Sequence, residues 1–193
     1  MQQISLSAIL LVMNKFIGHL KTVTKHRHYV FINCCKAGIP WRGLIHDLSK
    51  YSPQEFFPSV KHFQGNRSPN EGEREDYGYS LAWMHHKGRN KHHFEYWRDL
   101  NVQTRQYEPV EMPLIYVKEM FCDRIAASKV YKGKDFEKTA PFRYFNLGSA
   151  AKKMHPNTAL LLSSMLQAYA EKSDKEAFRY VRNLKQASQH KSL

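Results

Sequence analysis

The stretch GLIHDLSK, residues 43 to 50, decides how this chain is read. It lies between Gly38 and Pro40, which end a helical pattern, and Ser52-Pro53, which open another. The spacing predicts a short helix over 41–48 that carries His46 and Asp47 at its end. His and Asp are ligand types for Zn, Fe, Mn, Co or Ni, and an Asp has a second oxygen with which to bridge two ions. A lone His-Asp pair is often no more than a capped helix end, so its meaning rests on what surrounds it.

Working outward, the pattern is helical in both directions. Ile4, Ile9, Val12, Phe16, Ile17 and Leu20 recur at helical spacing and predict a first helix over about 5–25, with a second over 26–37. The longest apolar run there, AILLVM (8–13), is too short to span a bilayer, and no basic region precedes it, so neither a membrane partner nor a signal peptide is expected. Residues 64–75 are polar and rich in Gly, Asn, Ser and Pro, which predicts a surface loop. Helices follow over 76–86, from Pro113 to about Tyr131, and over 141–153, 156–171 and 173–187. Ser173 and Glu176 form a capping box at the last. No alternation of strand type, internal repeat or compositional break appears. The expected fold is all-α, a single helical domain over 1–193.

The chain is long enough to bury a core, and 13% aromatic residues argue for a folded one. A net charge of +13 attracts anions: phosphorylated metabolites, nucleotides, nucleic acid or an acidic membrane surface. The cations are spread along the chain rather than gathered in one tract, which weighs against a dedicated nucleic-acid motif. Cys34, Cys35 and Cys122 contain no CxxC spacing, which points to a reducing, cytoplasmic location and away from a thiolate zinc site.

The remaining metal-type residues fall in a defined order. His26 lies in KHRHYV (25–30), His46-Asp47 follow, HHKGRNKHH spans 85–93, and Asp123 lies in MFCDRIAAS (120–128). Two ions a few ångströms apart can bind a phosphate oxygen and generate a hydroxide. In HHKGRNKHH two histidine pairs bracket Lys87, Arg89 and Lys91. On one continuous helix His85 and His92 would sit about 10 Å apart, so the break at Gly88-Arg89-Asn90 is needed to turn the chain back. Adjacent histidines point apart, so one of each pair is expected to be a ligand. Plainer roles suit other residues: a buried structural His19, surface or packing roles for His28, His62, His155 and His190, and an exposed Glu55 that complements its helix dipole.

The order His, His-Asp, His, His, Asp resembles the HD superfamily, helical metal-dependent phosphohydrolases with some oxygenase members. HRHYV resembles the first ligand helix and selects His26. IHDLSK resembles the central motif, with Lys50 directed at substrate phosphate, and CDRIAAS resembles the last motif and selects Asp123. The match covers about 26–131, leaving C-terminal helices over 141–187 outside it. GIPWRGLIHDLSKYSP (38–53) with AWMHHKGRNKHHFEYW (82–97) is similar to a family of small, functionally uncharacterised HD-like bacterial and phage proteins, which supplies no substrate.

The resemblance implies a core metal site of His26, His46, Asp47 and Asp123, extended to a second divalent transition metal by His85 and His92. It implies hydrolysis of a phosphate ester, nucleotides among the candidates, by attack of metal-bound hydroxide. Asp47 and Lys50 would be catalytic, and Lys87, Arg89, Asn90 and Lys91 would meet the substrate. Two other functions fit the same residues: a di-iron oxygenase of HD type, and a non-enzymatic basic nucleic-acid-binding protein with a structural metal.

Overall fold

A computed structural model describes residues 6–185. Helix α1 (Leu6–Lys36) is followed by α2 (Pro40–Ile45), a 3-10 turn (Leu48–Tyr51), α3 (Pro53–Lys61), α4 (Pro69–Tyr77) and α5 (Leu81–Arg89). A short hairpin of β1 (Arg98–Leu100) and β2 (Tyr107–Pro109) comes next. Then come α6 (Leu114–Lys132), α7 (Ala140–Leu147), α8 (Ala150–Lys153), α9 (Pro156–Glu171) and α10 (Asp174–Asn183). The fold is mostly helical and has one main apolar core.

Several elements differ from the sequence expectations. The helix expected over 76–86 starts only at Leu81, and the one expected over 141–153 is broken at Gly148 into α7 and α8. Three further differences bear on the outline of the fold. The two helices expected over 5–25 and 26–37 are one, because neither Gly nor Pro interrupts the chain between Leu20 and Lys36. Taken as one helix, α1 is long and apolar enough to cross a membrane by length and composition, which the run AILLVM alone did not suggest. The expected loop over 64–75 contains most of α4. That helix buries only Gly72 and Glu73, so it leaves no apolar period to read, and it stops at Gly78 in the left-handed region (φ 79°). The unexpected strands pair antiparallel, Asp99 opposite Glu108, and three residues each are too few for alternation to register.

Helix α6 runs through the core. Its Val117, Phe121 and Ile125 are fully buried with Val30 and Cys34 of α1 and Leu162 and Leu166 of α9. Each large side chain so buried stabilises the fold by about 1.5–3 kcal/mol. Asn33 Nδ2 donates to the Cys122 carbonyl at 3.1 Å inside this core, fixing α1 against α6. Arg182 of α10 donates to the Lys36 carbonyl at 2.8 Å and closes the bundle over the end of α1. Residue 187, where the last helix was expected to end, lies outside the described residues, as do Ile4 and His190.

Candidate metal centre

The site begins with a close approach of backbones. A Cβ on Gly43 would lie 2.7 Å from Cys34 Cβ and 3.0 Å from Phe31 Cα, so only glycine lets α2 pack so tightly on α1. Arg27 of α1 then holds the end of α2, its Nε donating to the His46 carbonyl at 2.8 Å and its Nη2 to the Leu44 carbonyl at 3.0 Å. At that end Asp47 takes a left-handed backbone (φ 52°). For a residue with a Cβ this costs about 1–2 kcal/mol. The turn buries the Asp47 carboxylate among side chains from three other elements.

Two groups of donors meet there. In the first, His26 Nε2 lies 3.0 Å from Asp123 Oδ1 and 3.4 Å from His46 Nε2, and His46 Nε2 lies 3.2 Å from Asp47 Oδ2. In the second, Asp47 Oδ1 lies 3.3 Å from His86 Nε2 and 3.4 Å from His92 Nε2, with His93 beside them. Within each group one atom per residue falls within 4.8 Å of all the others. Ligands about 2.1 Å from a common ion lie roughly 3.0–3.4 Å apart along the edges of an octahedron or tetrahedron. Asp47 contributes one oxygen to each group.

The donor set also has the chemistry of a metal site. Asp47 Oδ1 and the Nε2 atoms of His86, His92 and His93 are buried with no hydrogen-bond partner. Such atoms are normally satisfied, and a cation placed among them would satisfy them together. These buried His and Asp residues could therefore hold one or two metal ions.

Two further carboxylates orient the imidazoles from behind. Glu119 Oε1 accepts from His46 Nδ1 at 3.0 Å and faces His92 Nδ1 at 3.3 Å, while Arg42 Nε donates to Glu119 Oε2 at 2.7 Å. Glu55 accepts from His86 Nδ1 and His85 Nδ1, both at 2.7 Å. A carboxylate behind an imidazole fixes its tautomer and frees Nε2 as the ligand atom. Glu119, with His46 and His92, also forms a compact group of donors, but its bonds to Nδ1 atoms and to Arg42 give it the orienting role.

The electrostatics follow from this crowding. Burial opposes charge on His46, but Asp47, Glu119 and Asp123 outweigh it and raise the imidazole to about 10. Burial would raise the Asp47 and Asp123 carboxyls, yet His46 and Lys50 beside the first, and His26 and His46 beside the second, hold both well below the usual range. Glu119 is likewise brought to about 2 against its burial, by His46 and His92. His93 behaves oppositely: burial, then His92 and His86, keep it neutral.

A cavity of about 480 Å³ adjoins the site, and His26, Asp47, His86, His93 and Asp123 form part of its wall. Its cations are Lys50, Arg67, Arg124 and Lys132. Lys50 Nζ lies 2.8 Å from Asp47 Oδ2.

The structure thus brings His26, His46, Asp47, Asp123 and His92 together, with Lys50 at their edge. It does not bring His85, which turns to Glu55, and His86 stands in its place. Helix α5 explains the exchange: His86 shares a buried face with Ala82, one turn earlier, whereas His85 follows the exposed Leu81. That face was a usable signal. Nor do Lys87, Arg89, Asn90 and Lys91 line the cavity. The Asn90 amide instead donates to Ser49 Oγ and the His86 carbonyl, both at 2.8 Å, ending α5. Lys91 lies over the Tyr96 ring, and Arg89 is exposed. Glu55, expected to be an exposed first-turn residue, is buried at 3%. No sequence motif marks Glu119, although it lies one helical turn before Asp123 on the same face of α6.

Fold and site together define a mostly helical protein with a buried histidine–aspartate cluster able to hold metal. Residues 15–168 match the model of a family of unknown function, DUF5662, and the chain belongs to that family. No match is found among curated proteins or among solved structures.

Proposed function

We propose that the protein is an HD-like metal-dependent phosphohydrolase acting on a phosphate ester, with nucleotides among its substrate candidates. One observation carries this reading: Asp47 offers one oxygen to each of two donor groups, beside a cavity that holds Lys50 and Arg124. His26, His46, Asp47 and Asp123 would hold one ion, and Asp47, His86, His92 and His93 would supply ligands to the other. Bound divalent ions would supply Lewis acidity and lower the pKa of water at the site.

The chain's own residues do the rest. Glu119 holds the His46 ring with Nδ1 protonated and faces Nδ1 of His92, and Glu55 does the same for His86. Lys50 places an ammonium at the edge of the carboxylates, where it would neutralise a phosphoryl oxygen. Arg124, adjacent in sequence to Asp123, lines the same cavity, and a guanidinium turned to it would suit paired phosphate oxygens.

The test is hydrolysis of p-nitrophenyl phosphate and of a nucleotide panel by metal-stripped protein resupplied with Mn, Co, Zn, Ni or Fe(II). Phosphate release that requires metal and disappears in Asp123→Ala supports the reading. Iron-dependent oxygen consumption without phosphate release would favour the oxygenase instead. Salt-sensitive nucleic-acid binding that metal-ligand variants leave unchanged, with no turnover, would favour the binding protein.

A further inference from the structure

Helix α1 extends well beyond the body that carries the site. Lys15 ties it there, its Nζ donating to the Lys61 carbonyl at the end of α3 at 2.9 Å, and the family match also starts at residue 15. Before it, every residue from Leu6 to Asn14 is exposed. Ile9, Leu10, Leu11, Val12 and Met13 advance about 100° each, so they cover the whole circumference, and they remain 45–59% exposed. An ordinary surface helix has one apolar stripe and an opposite polar face. Apolar side chains all round call for apolar surroundings all round. A second copy lying along one side would cover one stripe and leave the others in water.

Length and charge identify the surroundings. From Leu6 to Asn14 the helix measures about 13 Å, close to one leaflet of a hydrocarbon core about 30 Å thick. No Asp or Glu precedes Asp47 in the chain, whereas Lys15, Lys21, Lys25 and Arg27 follow the apolar segment, with Lys21 and Lys25 exposed. Cations at that level complement anionic headgroups.

We propose that Leu6–Met13 inserts into one leaflet of an anionic phospholipid bilayer and holds the folded body at its surface. The proposal does not depend on what the metal centre does.

The test is co-flotation of the full chain with vesicles of phosphatidylcholine alone, or with about one part in three phosphatidylserine. The chain is expected to float with the mixed vesicles, less with phosphatidylcholine, and less with either as salt rises. A Leu10→Asp, Val12→Asp double variant should lower the bound fraction by roughly tenfold or more. Both positions are exposed, so its far-ultraviolet circular dichroism and metal content should match the parent's. A parent that stays off both vesicles, or a double variant that floats equally well, overturns the proposal. So does a lipid-free oligomer that the double variant dissociates while the parent ignores vesicles, which would make a second copy the occupant.

Discussion

Asp47 and His86 face each other across 3.3 Å, Oδ1 to Nε2, with both atoms buried and neither making a hydrogen bond. One ends the turn after α2 and the other lies in the last turn of α5. Their side chains are fixed from behind, His86 by Glu55 and the Asp47 backbone by the turn that Arg27 holds. Such rigidity around unsatisfied atoms suits a cation better than a stability role.

The exchange of His86 for His85 can be tested directly. After reconstitution, His86→Ala should carry about one ion fewer per chain than the parent, while His85→Ala should match it. Elemental analysis of the two variants side by side reads the difference. Equal losses, or a loss only in His85→Ala, would assign the ligand to the other histidine.

Glu119→Gln keeps size and shape but removes the charge that orients His46 and faces His92. Metal affinity should fall roughly 10–100-fold, as measured by competition with a chromophoric chelator. Unchanged affinity would reduce Glu119 to a structural partner of Arg42.

Lys50→Ala should leave metal content intact, since its ammonium is no ligand, and lower kcat/KM on phosphate esters by about 10–100-fold. Equal turnover on every hydrolysed substrate would show Lys50 to be a surface partner of Asp47 only.

The parts legible in the sequence were those written in local patterns. Pro156 and Glu171 bound α9 as expected, and the Ser173–Glu176 capping box forms at α10. His26, His46, Asp47 and Asp123, which the fold brings together, could be singled out because each lies in a recognisable short motif. Glu119 and Glu55 could not, because their role arises only when α3 and α6 place them behind the imidazoles of other elements. The basic residues of HHKGRNKHH do not line the cavity, for a related reason. The break after Arg89 re-aims His92 into the core, but α5 ends with Arg89 exposed and the Asn90 amide turned back on Ser49. Helix α1 shows a third limit, since an apolar pattern says which side chains avoid water and not whether the protein itself covers them.

His19 supplies a pH dependence separate from the ligands. It packs against Phe56 and Phe63, its Nδ1 has no partner, and burial, then Lys50, lowers its pKa from 6.5 to about 4. The folded state therefore refuses a proton that the unfolded chain accepts. Its contribution is constant above pH 6.5 and is lost as pH falls from 6.5 towards 4. In metal-stripped protein, His19→Leu should flatten the acid side of the stability profile by about 1–3 kcal/mol relative to the parent. Urea unfolding across that range measures it, and parallel profiles would contradict it.

The most direct measurement of the central claim, that Asp47 joins two donor groups into one metal centre, is metal stoichiometry by elemental analysis in the parent and in Asp47→Ala. The parent should bind two divalent transition metal ions per chain at saturation. Asp47→Ala should lose both or bind them far more weakly, because it removes the carboxylate common to the two groups. A parent that binds no such ion, or an Asp47→Ala variant with a full complement, would contradict the account.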